Sequence, residues 1–390
     1  MTTPISLRGS GDLVATLPYQ LGYHPRRSAV AVGLHGGTVG LVARVDLPPP
    51  HAVPAAVEAF LGPFRREGPD GVLLVGYEDD EGEALPFLRA VADAVRAGGA
   101  RVMDVATVRG GRWYAPFCEG AGCCPPDGVP VPPPHAIPAV AELVALGSAP
   151  LADRDAVDRA VAPDPALPRP PAGRGRRPSR RTVVGAWAAL LGSVPPGAGP
   201  TSTVRDAAWV ARVATAAAGL LDVPLRDGLV AWLVPGVLSP DAVDATVRPL
   251  LEALPRWGGM GVDDGDPDAE GVDDADGAGG ARGASADGDD AGREAQRVTR
   301  SDERRLLLAL LGQACRAVPD DRPDAAAALC TVTAHVAWSV GEGALARAGL
   351  DRALRLAPGY RLAVLLEQLV AQGIRPTGVR APRTVHRWAG

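Results

Sequence analysis

The chain has 390 residues, 46% of them hydrophobic, which is enough for two separate cores and more than one domain ordinarily holds. A formal net charge of -5 argues against a protein that coats nucleic acid, and no stretch approaches the roughly 18 uninterrupted apolar residues of a membrane span. All 40 basic residues are arginine and asparagine is absent, a usage that a GC-rich genome explains, so arginine abundance carries no functional weight. The opening MTTPISLRGSGD lacks the basic-then-apolar order of an export signal. The 5 cysteines, an odd number in a long chain, do not make a secreted disulfide framework, so a soluble protein of the reducing cytoplasm is expected.

In chain order, Ser10 is placed to cap a short helix over 11–17, which Pro18 should end. Gly22 to Pro25 reads as a corner. The apolar runs 29–34 and 39–47, broken by His35-Gly36-Gly37, predict a β-hairpin whose second strand carries Arg44 and Asp46 on one face. Apolar spacing of three and four predicts helices over 52–66 and 83–97, alternating with strands over 71–77 and 101–108, and Gly110-Gly111 turns the chain into a further hairpin strand at 112–115. Residues 1–162 therefore read as an α/β domain with a mixed sheet, completed by helical patterns at 136–146 and 152–161. A Pro/Arg-rich linker is expected over 163–181.

Residues 182–390 read as an all-α domain, with helices expected over 182–191, 204–221, 225–233, 240–254, 302–318, 323–340, 343–357 and 360–371. Trp187, Trp209, Trp232 and Trp257 fall one within or just after each of the first four. A stretch at 262–294 holds twelve acidic residues against two arginines with hardly a large apolar side chain, so a disordered acidic loop is expected. Near the end, Gly341, Ala346, Leu350, Ala353 and Pro358 match the second half of a tetratricopeptide repeat, although Cys330 and Ala334 depart from its first half. One such helical hairpin is too little for a solenoid.

Several blocks resemble the actinobacterial family called domain of unknown function 4192: LRGSGDLVATLPYQLGYHPRRSAVAVGL, VARVDLP, RWYAPFCEGAGCCPPDGVPV and AWSVGEGALARAGLDRALRLAPGYRLAVLL. The resemblance spans nearly all of the chain outside the linker and the acidic loop. It implies a cytoplasmic protein of this two-part organisation and supplies no activity.

No GxSxG, Walker loop, HExxH or strand-following GxGxxG occurs, so no cofactor is expected. His24 and Tyr19 are candidates for acid-base chemistry, with Asp12, Arg44 or Asp46 as partners; the plainer reading is a structural corner. Glu78, Asp79 and Asp80, followed by Glu81, sit after a central strand, where open α/β sheets bind ligands, or simply cap the next helix. Cys118, Cys123 and Cys124 are the candidate metal ligands, but adjacent thiols diverge and a fourth ligand is missing, so loop packing is the expectation and no metal is. Five arginines at Arg174, Arg176, Arg177, Arg180 and Arg181 read as a solvated spacer. Two functions stay open. One is an interaction or regulatory protein, binding another protein through its helical domain and a ligand or partner through its α/β domain, with no membrane and no specific nucleic acid. The other is an enzyme with its site at the edge of the N-terminal sheet. A deep polar pocket near Tyr19, His24 and Asp46 would favour the enzyme, and a flat apolar groove on the helices the partner.

Overall fold

The Val- and Ala-rich runs after the Gly22 corner pair as their pattern demands. A computed structural model describes residues 5–118, 124–170, 177–193, 205–236, 240–255, 286–374 and 386–388. The chain divides into two units, Met1–Asp158 with Glu367–Ile374 and Arg383–Gly390, and Arg159–Leu366 with Arg375–Pro382.

The first unit is built on one mixed sheet. Its strands are β1 (Ile5–Leu7), β2 (Ser28–His35), β3 (Thr38–Asp46), β4 (Gly71–Tyr77), β5 (Arg101–Arg109), β6 (Arg112–Tyr114), β7 (Val129–Pro130) and β8 (His386–Trp388), in the spatial order β1-β8-β3-β2-β4-β5-β6-β7. The hairpin β2–β3 is antiparallel, β2 runs antiparallel to β4, and β4 and β5 are parallel. Helices α1 (Ser10–Leu21) and α4 (Pro138–Ala145) accompany one face of the sheet; α2 (Val53–Glu67) and α3 (Leu85–Ala97) accompany the other. Central β2 is buried on both faces, so it reads as a continuous apolar run: Val30, Val32 and Leu34 meet the α1 side, and the smaller Ala29 and Ala31 the α2 side. A short α5 (Arg154–Val161) follows. Sequence periodicity missed β8, which pairs parallel with β1 and donates the Trp388 N–H to the Gly37 carbonyl at 2.7 Å.

Three local expectations give way. Ser10 is not the cap: Gly9 holds that position, and the Ser10 hydroxyl donates instead to Asp104 of β5. Pro18 does not end α1, which continues to Gly22 in the left-handed region at φ 79°. Docking of Leu13, Val14 and Leu17 onto the sheet outweighs the roughly 3 kcal/mol that an interior proline costs a helix. The helix expected over 240–254 is broken, with a 3-10 turn at Pro240–Ala242 and a short α9 (Arg248–Leu251). Between them the Asp244 carboxylate accepts the Thr246 N–H at 2.8 Å, a local bond that competes with helix.

The second unit is helical: α6 (Arg180–Leu191), α7 (Ala207–Gly219), α8 (Val223–Leu233), α9, α10 (Ala286–Ala317), α11 (Pro323–Ser339), α12 (Gly343–Leu356) and α13 (Arg361–Ala371) as far as Leu366. Residues 286–294, expected to lack regular structure, are the first turns of α10; their AGREAQ run has good helix propensity and extends the helix backwards. Residues 262–285 lie outside the described part, as does Trp257. The expected linker is partly committed to this unit, since Asp164 accepts from Arg316, Pro170 accepts from Arg322 at 3.1 Å, and Arg180 and Arg181 begin α6. Arg174 and Arg176 fall outside the described residues, and Arg177 is exposed.

Helices α11 and α12 form a close hairpin. A Cβ at Gly349 would stand 2.9 Å from the Cys330 carbonyl oxygen and 3.2 Å from the Ala334 Cβ, while Ala346, Leu350 and Ala353 are fully buried. Beside it, the 4% exposed Arg352 donates to the carbonyls of Val161, Cys315 and Val318 at 2.5 to 2.7 Å and to Asp320, filling the free acceptors where α5 and α10 end. His335, 8% exposed against the Trp338 ring, has neither ring nitrogen hydrogen-bonded within the protein. Burial pulls its pKa down from 6.5 to about 4.

Gly349→Ala should destabilise the protein by about 1–3 kcal/mol through overpacking against backbone. Gly185→Ala, on the open face of α6 with nothing within 4 Å, should stabilise it by about 0.5–1 kcal/mol; urea denaturation of both variants checks the pair. For His335 the neutral form belongs to the folded state, so its contribution is complete above pH 6.5 and is lost as pH falls towards 4, by about 3 kcal/mol in full. Unfolding curves of wild type and His335→Leu between those pH values should show wild type losing stability relative to the variant as the pH drops.

Candidate functional site

At the carboxyl ends of β4 and β5, where parallel strands of open sheets bind ligands, lies an open cleft of about 150 Å³. Pro25, Arg26, Arg27, Tyr77, Glu78, Asp79, Val108, Arg109 and Gly110 line it. The sequence builds it from strand ends. β4 and β5 pair in register from Leu73–Asp104 to Tyr77–Val108, so the next residues, Glu78 and Arg109, emerge side by side. Gly76 lets α3 start close by, since a Cβ there would come within 2.6 Å of Ala84 and 2.8 Å of Leu88.

Glu78 anchors the cleft. Its side chain is 2% exposed; one carboxylate oxygen accepts from Arg109 at 2.9 Å and the other from the Ala84 N–H at 3.2 Å, before α3 begins. Arg109 also donates to Glu81 at 3.2 Å and lies over the Tyr114 ring, 4.6 Å from its centroid. On the facing loop, Arg27 adopts φ 39°, the one left-handed non-glycine backbone among the described residues. Such a conformation is held only where its surroundings enforce it. Here the Arg27 carbonyl accepts the Leu47 N–H at 3.0 Å and its guanidinium grips Glu83, which holds that carboxyl below its usual range. Arg26 is exposed, and its guanidinium makes no hydrogen bond or ion pair among the described residues.

The opposite face of the same sheet edge carries a second polar group. Arg44 spans it, donating to the Arg26 carbonyl at 3.2 Å, pairing with Asp46 and standing 5.9 Å from the Tyr23 ring centroid. Tyr23 is 3% exposed; burial raises its pKa, against the pull of Arg44 and Arg154. Ser28 Oγ, Arg44 Nε and Tyr77 Oη are buried there without a hydrogen-bond partner within the protein.

The acid-base candidates are only partly gathered. Arg44 and Asp46 do meet, but Asp46 is 80% exposed. His24 is exposed, tied to Leu151 by its backbone N–H, and its imidazole has no partner among the described residues. Tyr19 offers its carbonyl to Ser148 at 2.6 Å, and Asp12 accepts the Arg8 N–H at the far end of α1, about 10 Å along the helix axis from Tyr19. The strand-end acids fare differently: Glu78 is built in, while Asp79 and Asp80 remain exposed, the first on the cleft wall. Cys118 is exposed and Cys124 half-buried, Cys123 lies outside the described residues, and no group of three His, Cys, Asp or Glu that could hold a metal occurs among those described. Sequence reasoning missed Arg27, Tyr77 and Arg109. For Arg109 a signal existed, because the strands expected over 71–77 and 101–108 end together. In the helical unit the exposed large apolar side chains among described residues are Val223 and Leu365.

Arg109→Ala should destabilise the α/β unit by about 3 kcal/mol, because it leaves a buried carboxylate without its cation. Replacing Glu78 and Arg109 together by Leu should cost less than half as much, and chemical denaturation of the two variants beside wild type decides.

Among the described residues, no single helix is long and apolar enough to cross a membrane. Comparison with curated proteins and with solved structures finds no match. The model of one family, described as a domain of unknown function (DUF4192), matches residues 11–257 and 289–377, most of the chain, and the protein belongs to that family.

Proposed function

We propose that this is an interaction or regulatory protein whose α/β unit binds a small anionic ligand in the cleft at the carboxyl edge of its sheet. The observation that carries the reading is the cleft wall itself: three guanidinium groups, with Arg27 and Arg109 fixed by carboxylates and Arg26 uncommitted. Guanidinium forks match phosphate and carboxylate oxygens in pairs. The left-handed Arg27 backbone supports the same reading, since strain of this kind gathers at ligand clamps. The strand-end carboxylates Glu78 and Glu83 are engaged in holding arginines, which suits a binding site better than one that shuttles protons.

In this reading the helical unit meets a partner protein, with the tetratricopeptide-like hairpin of α11 and α12 as its framework. The large apolar side chains of α11 and α12 are buried or half-buried, so the contact proposed for that hairpin is polar. Cys315 and Cys330 are buried free thiols, which supports a reducing, cytoplasmic setting. Arginine in place of every lysine fits an actinobacterial source.

Calorimetric titration of the full chain with inorganic phosphate, sulfate, citrate and adenosine monophosphate tests the ligand. At least one should bind with millimolar affinity or better, and Arg26→Glu should weaken it at least tenfold without lowering the melting temperature of the ligand-free protein. No binding by any of the four, or binding indifferent to Arg26→Glu, would refute the reading.

A further inference from the structure

The cleft opens where two neighbouring strands part at their ends. β2 and β4 pair as far as Ser28 and Tyr77. One residue further out, the Glu78 N–H donates to the Val108 carbonyl on β5 at 3.0 Å, and the Arg27 carbonyl accepts the Leu47 N–H, just past β3, at 3.0 Å. Each strand end is thereby stitched to its outer neighbour, and the gap between the two ends is the cleft. Continued by one more residue, the register sets Arg26 on one side of that gap and Asp79 on the other. Neighbouring strands lie about 4.8 Å apart, so long side chains from both ends reach one small ligand. Arg26 and Asp79 both line the cleft and both are exposed.

Their charges are the ones that the cleft leaves unanswered. Glu78 and Glu81 hold Arg109, and Glu83 holds Arg27. Neither the Arg26 guanidinium nor the Asp79 carboxylate makes a hydrogen bond or ion pair among the described residues, although both line one cleft. Asp79 is close enough to Arg27 to add, after Glu83, to what keeps that guanidinium charged. A plain anion seated on Arg26 would therefore meet a like charge on Asp79, and like charges set against each other count against a ligand. A plain cation on Asp79 would meet the guanidiniums instead. One ligand group of each sign answers both. The cleft, at about 150 Å³, is also smaller than the roughly 300–1,000 Å³ of sites that take drug-sized ligands, so it suits a molecule of amino-acid size.

We infer that the ligand of this cleft is a small zwitterion, with a carboxylate or phosphate on Arg26 and an ammonium group on Asp79. The inference rests on the proposed anion-binding reading and adds the second charge that the ligand carries. It makes Asp79 a binding residue that selects among anions while contributing little to the empty fold.

The test uses the full chain in calorimetric titrations of wild type and Asp79→Asn with two matched pairs of probes, propionate beside β-alanine and inorganic phosphate beside phosphoethanolamine. In at least one pair wild type should bind the amine-bearing member about threefold tighter or better, the scale of one exposed ion pair, and the pair that binds tells carboxylate from phosphate. Asp79→Asn should cancel that preference, bind the amine-free member no more weakly than wild type does, and melt within a few degrees of wild type when ligand-free. If wild type binds the amine-free members as tightly as their partners, or if the preference survives in Asp79→Asn, this inference falls and the anion-binding reading stands. A larger drop in the melting temperature of ligand-free Asp79→Asn would show that the carboxylate already has a partner in the fold, which also overturns the inference. Absence of binding to every probe by wild type overturns it as well, and failure with all four anions of the wider titration identifies the anion-binding reading as the cause.

Discussion

A carboxylate with 2% of its side chain exposed is tolerable only when its charge and its lone pairs are both answered, and Glu78 has that requirement met from two directions. Arg109 answers the charge, and the Ala84 N–H takes the second oxygen. One side chain thereby fixes the end of β4 to the end of β5 and sets where α3 begins. The turn 78–84 carries Glu83, and Glu83 in turn holds Arg27, so the strained loop on the far side of the cleft depends on the same anchor. The shape of the cleft follows from the need to keep one buried charge paired.

The helical unit solves the mirror-image problem. Arg352 is a buried cation, and its donors are spent on the carbonyls left over where α5 and α10 end, with Asp320 balancing the charge. Cations at helix C-termini meet the negative end of the helix dipole, so this placement gains where a random burial would lose. It also explains why α12 can lie against α11 at the spacing of Gly349: one side of α12 is anchored by hydrogen bonds and the other is free of side chain. His335 is the exception in this core, a polar ring tolerated by remaining neutral.

Much of this was legible in the sequence, and the parts that were not share a cause. The β2–β3 hairpin, β4, α2 and α3 follow from period and punctuation, because burial on one or two faces writes itself into every second or every third and fourth residue. Strand β8 could not be read that way, being three residues long and paired only through contacts distant in sequence. Pro18 within α1 and the broken 240–254 segment are cases where a local rule was outweighed, in one by docking on the sheet and in the other by an aspartate bonding its own backbone. Of the candidate site, Glu78 was visible as a strand-end acid. The left-handed Arg27 and the unpaired Tyr77 were not, since neither backbone strain nor a missing partner leaves a mark on residue type.

On the proposed anion-binding reading, the paired and the uncommitted arginines of the cleft divide the work of binding. Arginine is long and loses much rotamer freedom when held, so an arginine already fixed by a carboxylate presents its remaining donors at little further entropic cost. Arg27 and Arg109 are in that condition, but each has part of its charge cancelled by its partner. Arg26 keeps its full charge and its freedom. Affinity in such a site comes from the uncommitted groups and geometric selectivity from the committed ones. A ligand that engaged only the ion-paired arginines would have to displace glutamates that the fold needs in place, so on the proposed reading recognition begins with Arg26 at the rim.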